Sequence, residues 1–246
     1  MAKRNQIARI IGRMAYLKGN DREVFVKNTF SEIAPRYVFM NHLMTGGMDI
    51  LLRKETIRRA RLRAGEVVLD IGSGTGDLAR EAHRAEKNAR ITATDINLQM
   101  ILAANHWAGI DRSLADALQL PFADEQFDLV MSGYLVRNVS DLQRALQEQY
   151  RVLKPGGRIL VLDMTRPRHN FFTPFINIYF RVIIPFFGAI FNRNRKAYTY
   201  LIQSTENFVT AEKLRAQMQD CGFEEVHFHI RMLGTMAIHS GRKAIS

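Results

Sequence analysis

The residues best suited to chemistry stand in one run, Val67-Val68-Leu69-Asp70-Ile71-Gly72-Ser73-Gly74-Thr75-Gly76-Asp77. An apolar, β-branched segment leads straight into Gly72, Gly74 and Gly76. Glycines placed after a buried strand and before a helix let a nucleotide-like ligand lie against bare backbone. The last position of the dinucleotide pattern Gly-x-Gly-x-x-Gly is Asp77. Its carboxylate would repel a pyrophosphate, which argues against NAD, whereas a cationic methionine moiety would tolerate it. A glycine-rich turn alone is equally an ordinary tight turn.

Three further features narrow the reading. Asp95 ends the next predicted strand, 19 residues after Gly76, where a carboxylate accepts hydrogen bonds from ribose hydroxyls. Asp116 follows the third strand, within reach of an adenine amino group, with Leu118 and Phe122 as apolar walls. Lys154-Pro155-Gly156-Gly157 turns the chain into the fifth strand. Each alone is a surface acid or a common turn. Together, at successive strand ends, they point to S-adenosylmethionine. The candidate cofactor set is Asp70, Gly72, Gly74, Thr75, Asp95, Ile96, Asp116, Ala117 and Ser132.

The elements that must position these residues alternate. Strands are expected over 67–71, 90–95, 127–132 and 158–163, with helices over 77–86, 97–108 and 141–153 between them. Strand–helix alternation of this length gives βαβ crossovers and a mostly parallel, Rossmann-like α/β sheet flanked by helices. A helix over 210–220, closed by Gly222, precedes two strands over 225–230 and 235–240. Before the sheet, helices are expected over 23–33 and 50–61, joined by an irregular connection over 34–49. Residues 1–63 then form an N-terminal helical extension, part acceptor pocket and part membrane contact. Residues 64–246 form the catalytic domain, with 166–205 as an apolar lid insertion.

Composition bounds the partners. The 246 residues suit one α/β domain, and the lone Cys221 excludes intrachain disulfides and a cysteine zinc cluster. No metal is implied. Lys and Arg number 35 against 24 Asp and Glu, a net charge of +11, which attracts nucleic acid or an anionic membrane surface. The most apolar stretch, 171–191, is split by Arg181 and broken by Pro174 and Pro185, so it cannot make the ~20-residue apolar helix of a span. It reads as a lipid-facing lid, or as a buried cap over the sheet. Ile7, Ile10, Ile11, Met14 and Leu17 recur at helical spacing among basic residues, as in an amphipathic helix on a membrane or on the domain; a mitochondrial presequence and a solvated basic tail are the rival readings. The expected location is cytoplasmic, peripheral on the inner face of the membrane, or the mitochondrial matrix in a eukaryote. A homodimer is left open.

From about Val24 to Lys243 the chain resembles the ubiquinone/menaquinone biosynthesis C-methyltransferases. The resemblance rests on Tyr37-Val38-Phe39-Met40-Asn41-His42-Leu43-Met44-Thr45, on Arg137-Asn138-Val139-Ser140-Asp141, and on Tyr150 through Gly157 continuing to Asp163-Met164-Thr165. The segments Tyr198-x-Tyr200-Leu201-x-x-Ser204, Gly222-Phe223 and Ala237 to Lys243 follow the same pattern. The resemblance implies a seven-stranded methyltransferase sheet and a prenylated quinol acceptor. It departs at Val38, Asp49, Leu52, Gly133 and Leu135, where Asp, His, Trp, Ser and Gly are usual. The changes cluster in segments expected to line the acceptor pocket.

The resemblance also implies that Arg137, Asn138 and Tyr37 surround an acceptor hydroxyl. A guanidinium there would stabilise a phenolate, whose charge activates the ortho carbon, while Asn138 and Tyr37 orient a water. The bland alternatives are an Arg137 paired with Asp128 or Asp141, a core aromatic at Tyr37, and a structural His239. Competing functions are another lipid or small-molecule acceptor, RNA methylation suggested by the charge but lacking an RNA-binding platform, and a non-catalytic cofactor-binding scaffold. No nucleic-acid partner is expected.

Overall fold

The structure, a computed structural model, describes residues 19–104, 106–166, 204 and 208–245. The predicted basic helix before residue 19, the apolar stretch 171–191 and Tyr198 to Leu201 lie outside the described residues. The described order is α1 (Gly19–Ile33), a 3-10 turn (Ala34–Arg36), α2 (Tyr37–Thr45), α3 (Met48–Ala60), β1 (Val67–Ile71), α4 (Asp77–Ala85), β2 (Arg90–Asp95), α5 (Leu98–Leu102), β3 (Ile110–Leu114), β4 (Phe127–Gly133), α6 (Leu142–Val152), β5 (Leu153–Met164), α7 (Ala211–Asp220), β6 (Phe223–Arg231) and β7 (Met236–Lys243).

The strands form one seven-stranded sheet in the order β3-β2-β1-β4-β5-β7-β6. β1 to β5 run parallel, and β7 lies antiparallel between β5 and β6. The order reverses between β1 and β4, so their carboxyl ends leave a crevice that neither crossover covers. Leu69, Val130, Leu146, Ile159 and Leu214 fill one layer of core and Val68, Ala79, Ile91, Leu129 and Met131 the other. Burying each large apolar side chain contributes about 1.5–3 kcal/mol.

Three expectations need correction. The connection 34–49 is helical: Pro35 begins a 3-10 turn, and the left-handed pair Gly46 (φ 58°) and Gly47 (φ 79°) separates α2 from α3. Proline and glycine mark helix boundaries here, not a loop. The helix expected over 97–108 ends at Leu102, because the Trp107 indole turns back to donate to the Ile101 carbonyl at 3.2 Å. β5 begins at Leu153, before the Pro155-Gly156-Gly157 turn, with a register shift against β4.

Helix α1 is tied across the carboxyl ends of the strands. Arg22 donates to the Arg137 carbonyl at 2.7 Å, Asn97 donates to the Lys27 carbonyl at 2.9 Å, and the Ser140 hydroxyl donates to Glu23. No described helix is long and apolar enough to cross a membrane.

Candidate cofactor and acceptor site

The crevice between β1 and β4, roofed by α1, opens into a cleft of about 820 Å³ including its mouth. Gly72 and Gly74 line it in left-handed conformations, φ 65° and 57°. A Cβ on Gly72 would lie 2.6 Å from Leu135 Cδ1, and one on Gly74 3.1 Å from Met100 Cε. The left-handed backbone strains any side chain at both, and Leu135 and Met100 would have to shift as well. Gly76 has another purpose: a Cβ there would strike the Trp107 ring at 2.4 Å, so this glycine serves packing.

Asp95 lines the cleft and is held by two backbone amides, Gly74 and Asn97, each at 2.8 Å. A carboxylate has about four acceptor sites, so lone pairs remain for two ribose hydroxyls. Burial pushes its pKa up, against the two amides. Asp116 accepts from the Leu118 amide at 2.9 Å and faces the same space. Ile96 (42% exposed), Met100, Ala117 and Leu118 provide apolar surface for a planar base. Phe122 does not join them; it packs edge-on against Phe127 in the core, centroids 5.1 Å apart. Glycine cradle, diol-binding carboxylate, second carboxylate and apolar walls fit the adenosine of S-adenosylmethionine.

Three predicted cofactor residues stand away from this surface. Thr75 is buried, its hydroxyl donating to Asp77 at 3.1 Å, and it does not line the cleft. Ser132 points into the protein with an unpartnered hydroxyl, because successive strand residues face opposite ways; Gly133 lines the cleft instead. Asp70 is fully buried and accepts from the Ala79 amide of α4 at 3.0 Å. Desolvation pushes its pKa to about 8, and its other oxygen has no partner. It faces an inner recess.

That recess, about 320 Å³, continues from the cleft past Gly72, Gly74, Gly133, Tyr134 and Tyr37. Its wall includes Arg53 and Asp77. Arg53 donates to buried Asp49 at 2.5 Å, one helical turn away on α3, and stands 3.6 Å from Asp77. His42 and Thr45 complete the shell around Asp49, at 2.7 and 2.9 Å. These charges hold the Asp49 carboxyl below its usual range, overcoming burial. Arg53 and Tyr134 were not foreseen. The signal for Arg53 was present, since an acid and a base four apart on a helix face each other.

The predicted acceptor residues divide. Tyr37 and Asn138 line the cleft. Burial raises the Tyr37 pKa, so its phenol stays protonated. The Asn138 amide donates to the Tyr134 carbonyl at 2.8 Å. Arg137 does not line the cleft: it is buried and paired with Asp163 at the end of β5, which also accepts the Arg137 amide at 3.2 Å. Neither acid weighed as its partner takes that place, for Asp128 pairs with Lys154 at 2.8 Å and Asp141 caps α6 through the Arg144 amide. Between Arg53 and Arg137 lies the Tyr134 ring, 5.7 and 5.4 Å from the two guanidiniums. Its hydroxyl is buried without a hydrogen-bond partner, and burial raises its pKa. Tyr134 itself is held at φ 61°, a left-handed conformation unusual for a bulky residue. His239 is structural: buried in β7, it bonds the Ala211 carbonyl at 2.9 Å.

Comparison with known proteins agrees with this geometry. The model of the ubiE/COQ5 methyltransferase family matches residues 17–243. The ubiquinone/menaquinone biosynthesis C-methyltransferase UbiE of Desulfotalea psychrophila is 42% identical over 89% of this chain and 90% of that protein. The demethylmenaquinone methyltransferase of Thermus thermophilus is 39% identical over 86% and 98%. Among solved structures, Haemonchus contortus phosphoethanolamine N-methyltransferase 2 with S-adenosylhomocysteine is similar in fold, TM-score 0.63 at 15% identity, over 85% of this chain and 57% of that one. Human N-acetylserotonin methyltransferase with S-adenosylmethionine gives 0.60 at 20% identity, over 84% and 55%. The chain belongs to the ubiE/COQ5 methyltransferase family and is an S-adenosylmethionine-dependent methyltransferase.

Proposed function

We propose that this enzyme methylates a ring carbon of a prenylated quinol in ubiquinone or menaquinone biosynthesis. One observation carries the reading beyond the family name: Tyr37 and Asn138 share the cleft with the glycine loop and Asp95, so acceptor-type donors and cofactor-type groups face one space. When bound, S-adenosylmethionine supplies an electrophilic methyl group. Gly72, Gly74, Asp95 and Asp116 would hold it, leaving the side beneath α1 for the ring.

The remaining work falls to the side chains. A quinol carbon becomes nucleophilic as its neighbouring hydroxyl gives up a proton. Tyr37 and Tyr134, both kept protonated by burial, are donors to the developing phenolate and not bases. Arg53 and Arg137, on either side of the Tyr134 ring, are each neutralised by carboxylates and hold the ring between them, so what they offer a phenolate is the orientation of the Tyr134 donor. Glu23 lines the cleft on the α1 side, where its carboxylate, already a hydrogen-bond acceptor for Ser140, can receive the released proton directly or through water. Val26 and Phe30 of α1 give the ring an apolar wall. Arg137 acts in this reading as a positioning residue for Tyr134.

The same reading puts the protein at an anionic membrane surface, from which a prenyl tail can enter. Its support is the +11 charge and an exposed strip of α3, where Met48, Ile50 and Leu51 (57% exposed) lie beside Lys54 and Arg58. The test is transfer of labelled methyl from S-adenosylmethionine to demethylmenaquinol and to the ubiquinol precursor, in anionic liposomes under reducing conditions. Product on either establishes quinol C-methylation. Binding of the cofactor without product on both rejects the quinol acceptor.

A further inference from the structure

At the end of the sheet away from the cofactor cleft, the pairing of β5 with β7 creates a conflict of charge. The antiparallel register sets Arg158 directly opposite Arg242. Like charges on directly opposed residues repel. Two residues further along each strand, and so on the same face, Leu160 pairs with Ser240, which pairs in turn with His227 of β6. The C-terminal end of α3 and the chain after it add Arg59, Arg61 and Arg63 to this face. Together these residues line a groove of about 1450 Å³ including its mouth. It shares no lining residue with the cofactor cleft.

Five arginines line the groove against three acids, Glu66, Asp128 and Glu225. Partners from outside take one of each, Glu55 binding Arg59 and Lys154 binding Asp128. Within the groove Arg158 meets Glu66 at 2.5 Å, and Arg242 stands a long 3.4 Å from Glu225. No ion pair among the described residues engages the Arg61 or Arg63 guanidinium. An excess of two positive charges remains. The two rims are also strained. Arg61 caps α3 in a left-handed conformation, φ 47° and ψ 51°, where glycine is the usual residue. Glu225 stands at φ 49° in the bulge of β6. The cap therefore carries a guanidinium where local stability favours no side chain at all, a combination found at functional sites.

We infer that this groove binds a phosphate monoester, with Arg61 and Arg63 as the principal donors and the opposed Arg158 and Arg242 behind them. Such a group carries about −1.5 to −2 charges near pH 7, which matches the excess. Guanidinium forks suit its oxygens, and its arrival relieves the repulsion between Arg158 and Arg242. No aromatic side chain lines the groove, so it lacks the stacking platform that nucleic-acid bases need. The phosphoryl group itself is what the site recognises, whether on a soluble molecule or on a lipid head group. The site stands apart from the quinol reading and does not depend on it.

The test is calorimetric titration of the full chain with inorganic phosphate and with pyrophosphate, at constant ionic strength and with S-adenosylhomocysteine present to fill the cleft. Arg61→Gly combined with Arg63→Gln should weaken binding by about tenfold or more, the effect of lost charge-assisted hydrogen bonds. Its melting temperature should stay level or rise, because glycine suits the left-handed cap. Binding and stability moving apart in this way separates lost contacts from a damaged fold. Arg84→Gln combined with Lys87→Gln removes the same charge outside the groove and should change binding by less than about twofold. Sedimentation with vesicles containing phosphatidic acid, a monoester, or phosphatidylglycerol, a diester, identifies the source. Binding of the free anions assigns the site to a soluble ligand. Binding to phosphatidic acid vesicles alone, lost in the Arg61 and Arg63 variant, assigns it to a head group. Binding in neither arm, or binding that this variant loses no more than the control does, overturns the site. So would a single-stranded RNA oligomer that binds more tightly than pyrophosphate.

Discussion

The adenosine end of the cleft and its acceptor end are built by different means. At the adenosine end, Asp95 is fixed by the amides of Asn97 and Gly74, two and 21 residues away, and Asp116 by Leu118. The holders are backbone groups on the same or adjacent strand ends. At the acceptor end, Arg137 is fixed by Asp163 and Ser140 bonds Glu23, pairs separated by 26 and 117 residues. There, side chains from α1, α2, α3, the loop after β4, and β5 hold one another. A site held by its own backbone can lose one contact without disturbing the fold. A site of interlocked buried charges cannot, so changes at the acceptor end mix stability with chemistry.

Arg137 gives the largest test of that contrast. Arg137→Ala leaves Asp163 buried and unpaired, which should cost about 3–5 kcal/mol of stability. Denaturant unfolding measures the loss. Activity will fall with it, so the single variant cannot say whether the guanidinium serves turnover. The double variant Arg137→Met with Asp163→Asn removes both charges, keeps an acceptor for the Arg137 and Met164 amides and should recover most of the stability. If Arg137 supports turnover through Tyr134, the double variant stays slow with near-normal cofactor affinity. Recovered turnover would reduce Arg137 to a structural residue.

The same contrast governs what the sequence disclosed. β1 and β2 fall at the residues their apolar patterns indicated, and Gly72, Gly74, Asp95 and Asp116 meet in the cleft, because strand, turn and strand end are neighbours in sequence. Failures begin where a distant partner decides. The helix after Asn97 is cut short by Trp107, which packs on Gly76. Ser132 and Gly133 differ by one residue, and in a strand one residue is the whole difference between cleft and interior. Asp163 as the partner of Arg137 is invisible locally, since only the parallel pairing of β4 and β5 brings the two together.

Tyr134 tests the acceptor end without the burden of a charge pair. Its hydroxyl has no partner, so Tyr134→Phe should leave thermal stability unchanged or slightly raised, sparing a buried polar atom. Loss of a donor to a developing phenolate should lower kcat by about 10- to 100-fold, with S-adenosylhomocysteine affinity unaltered. Unchanged kcat would remove the phenol from the mechanism.

Asp70, behind the glycine loop in the inner recess, tests what a buried carboxyl held by one backbone amide costs. Its carboxyl has a folded pKa of about 8, raised by burial above its ordinary value. The unfolded chain ionises first as pH rises, so stability is fully present below about pH 4 and is lost progressively towards pH 8. Asp70→Asn keeps an acceptor for the Ala79 amide and removes the titration. Its melting temperature should match the wild type at acid pH and exceed it by a few degrees at pH 8. Equal melting curves at both pH values would mean that the carboxyl ionises freely in the fold.

The smallest effect probes Gly133, one of the residues where the two ends meet. Gly133 lines both cleft and recess where the family usually carries a serine. A Cβ there meets only Leu78 Cδ2, at 3.5 Å, an ordinary contact, and no positive φ opposes it. Gly133→Ser should therefore change stability by less than about 0.5 kcal/mol. Its hydroxyl would enter the bound cofactor's surroundings and raise S-adenosylhomocysteine affinity about two- to tenfold, one neutral hydrogen bond's contribution. A gain of this size would mean that the glycine loosens the cofactor grip without altering the site's shape. No gain, with the variant folded, would mean that the β4 end faces the acceptor alone, and the boundary between the two ends would shift from Gly133 towards Gly72.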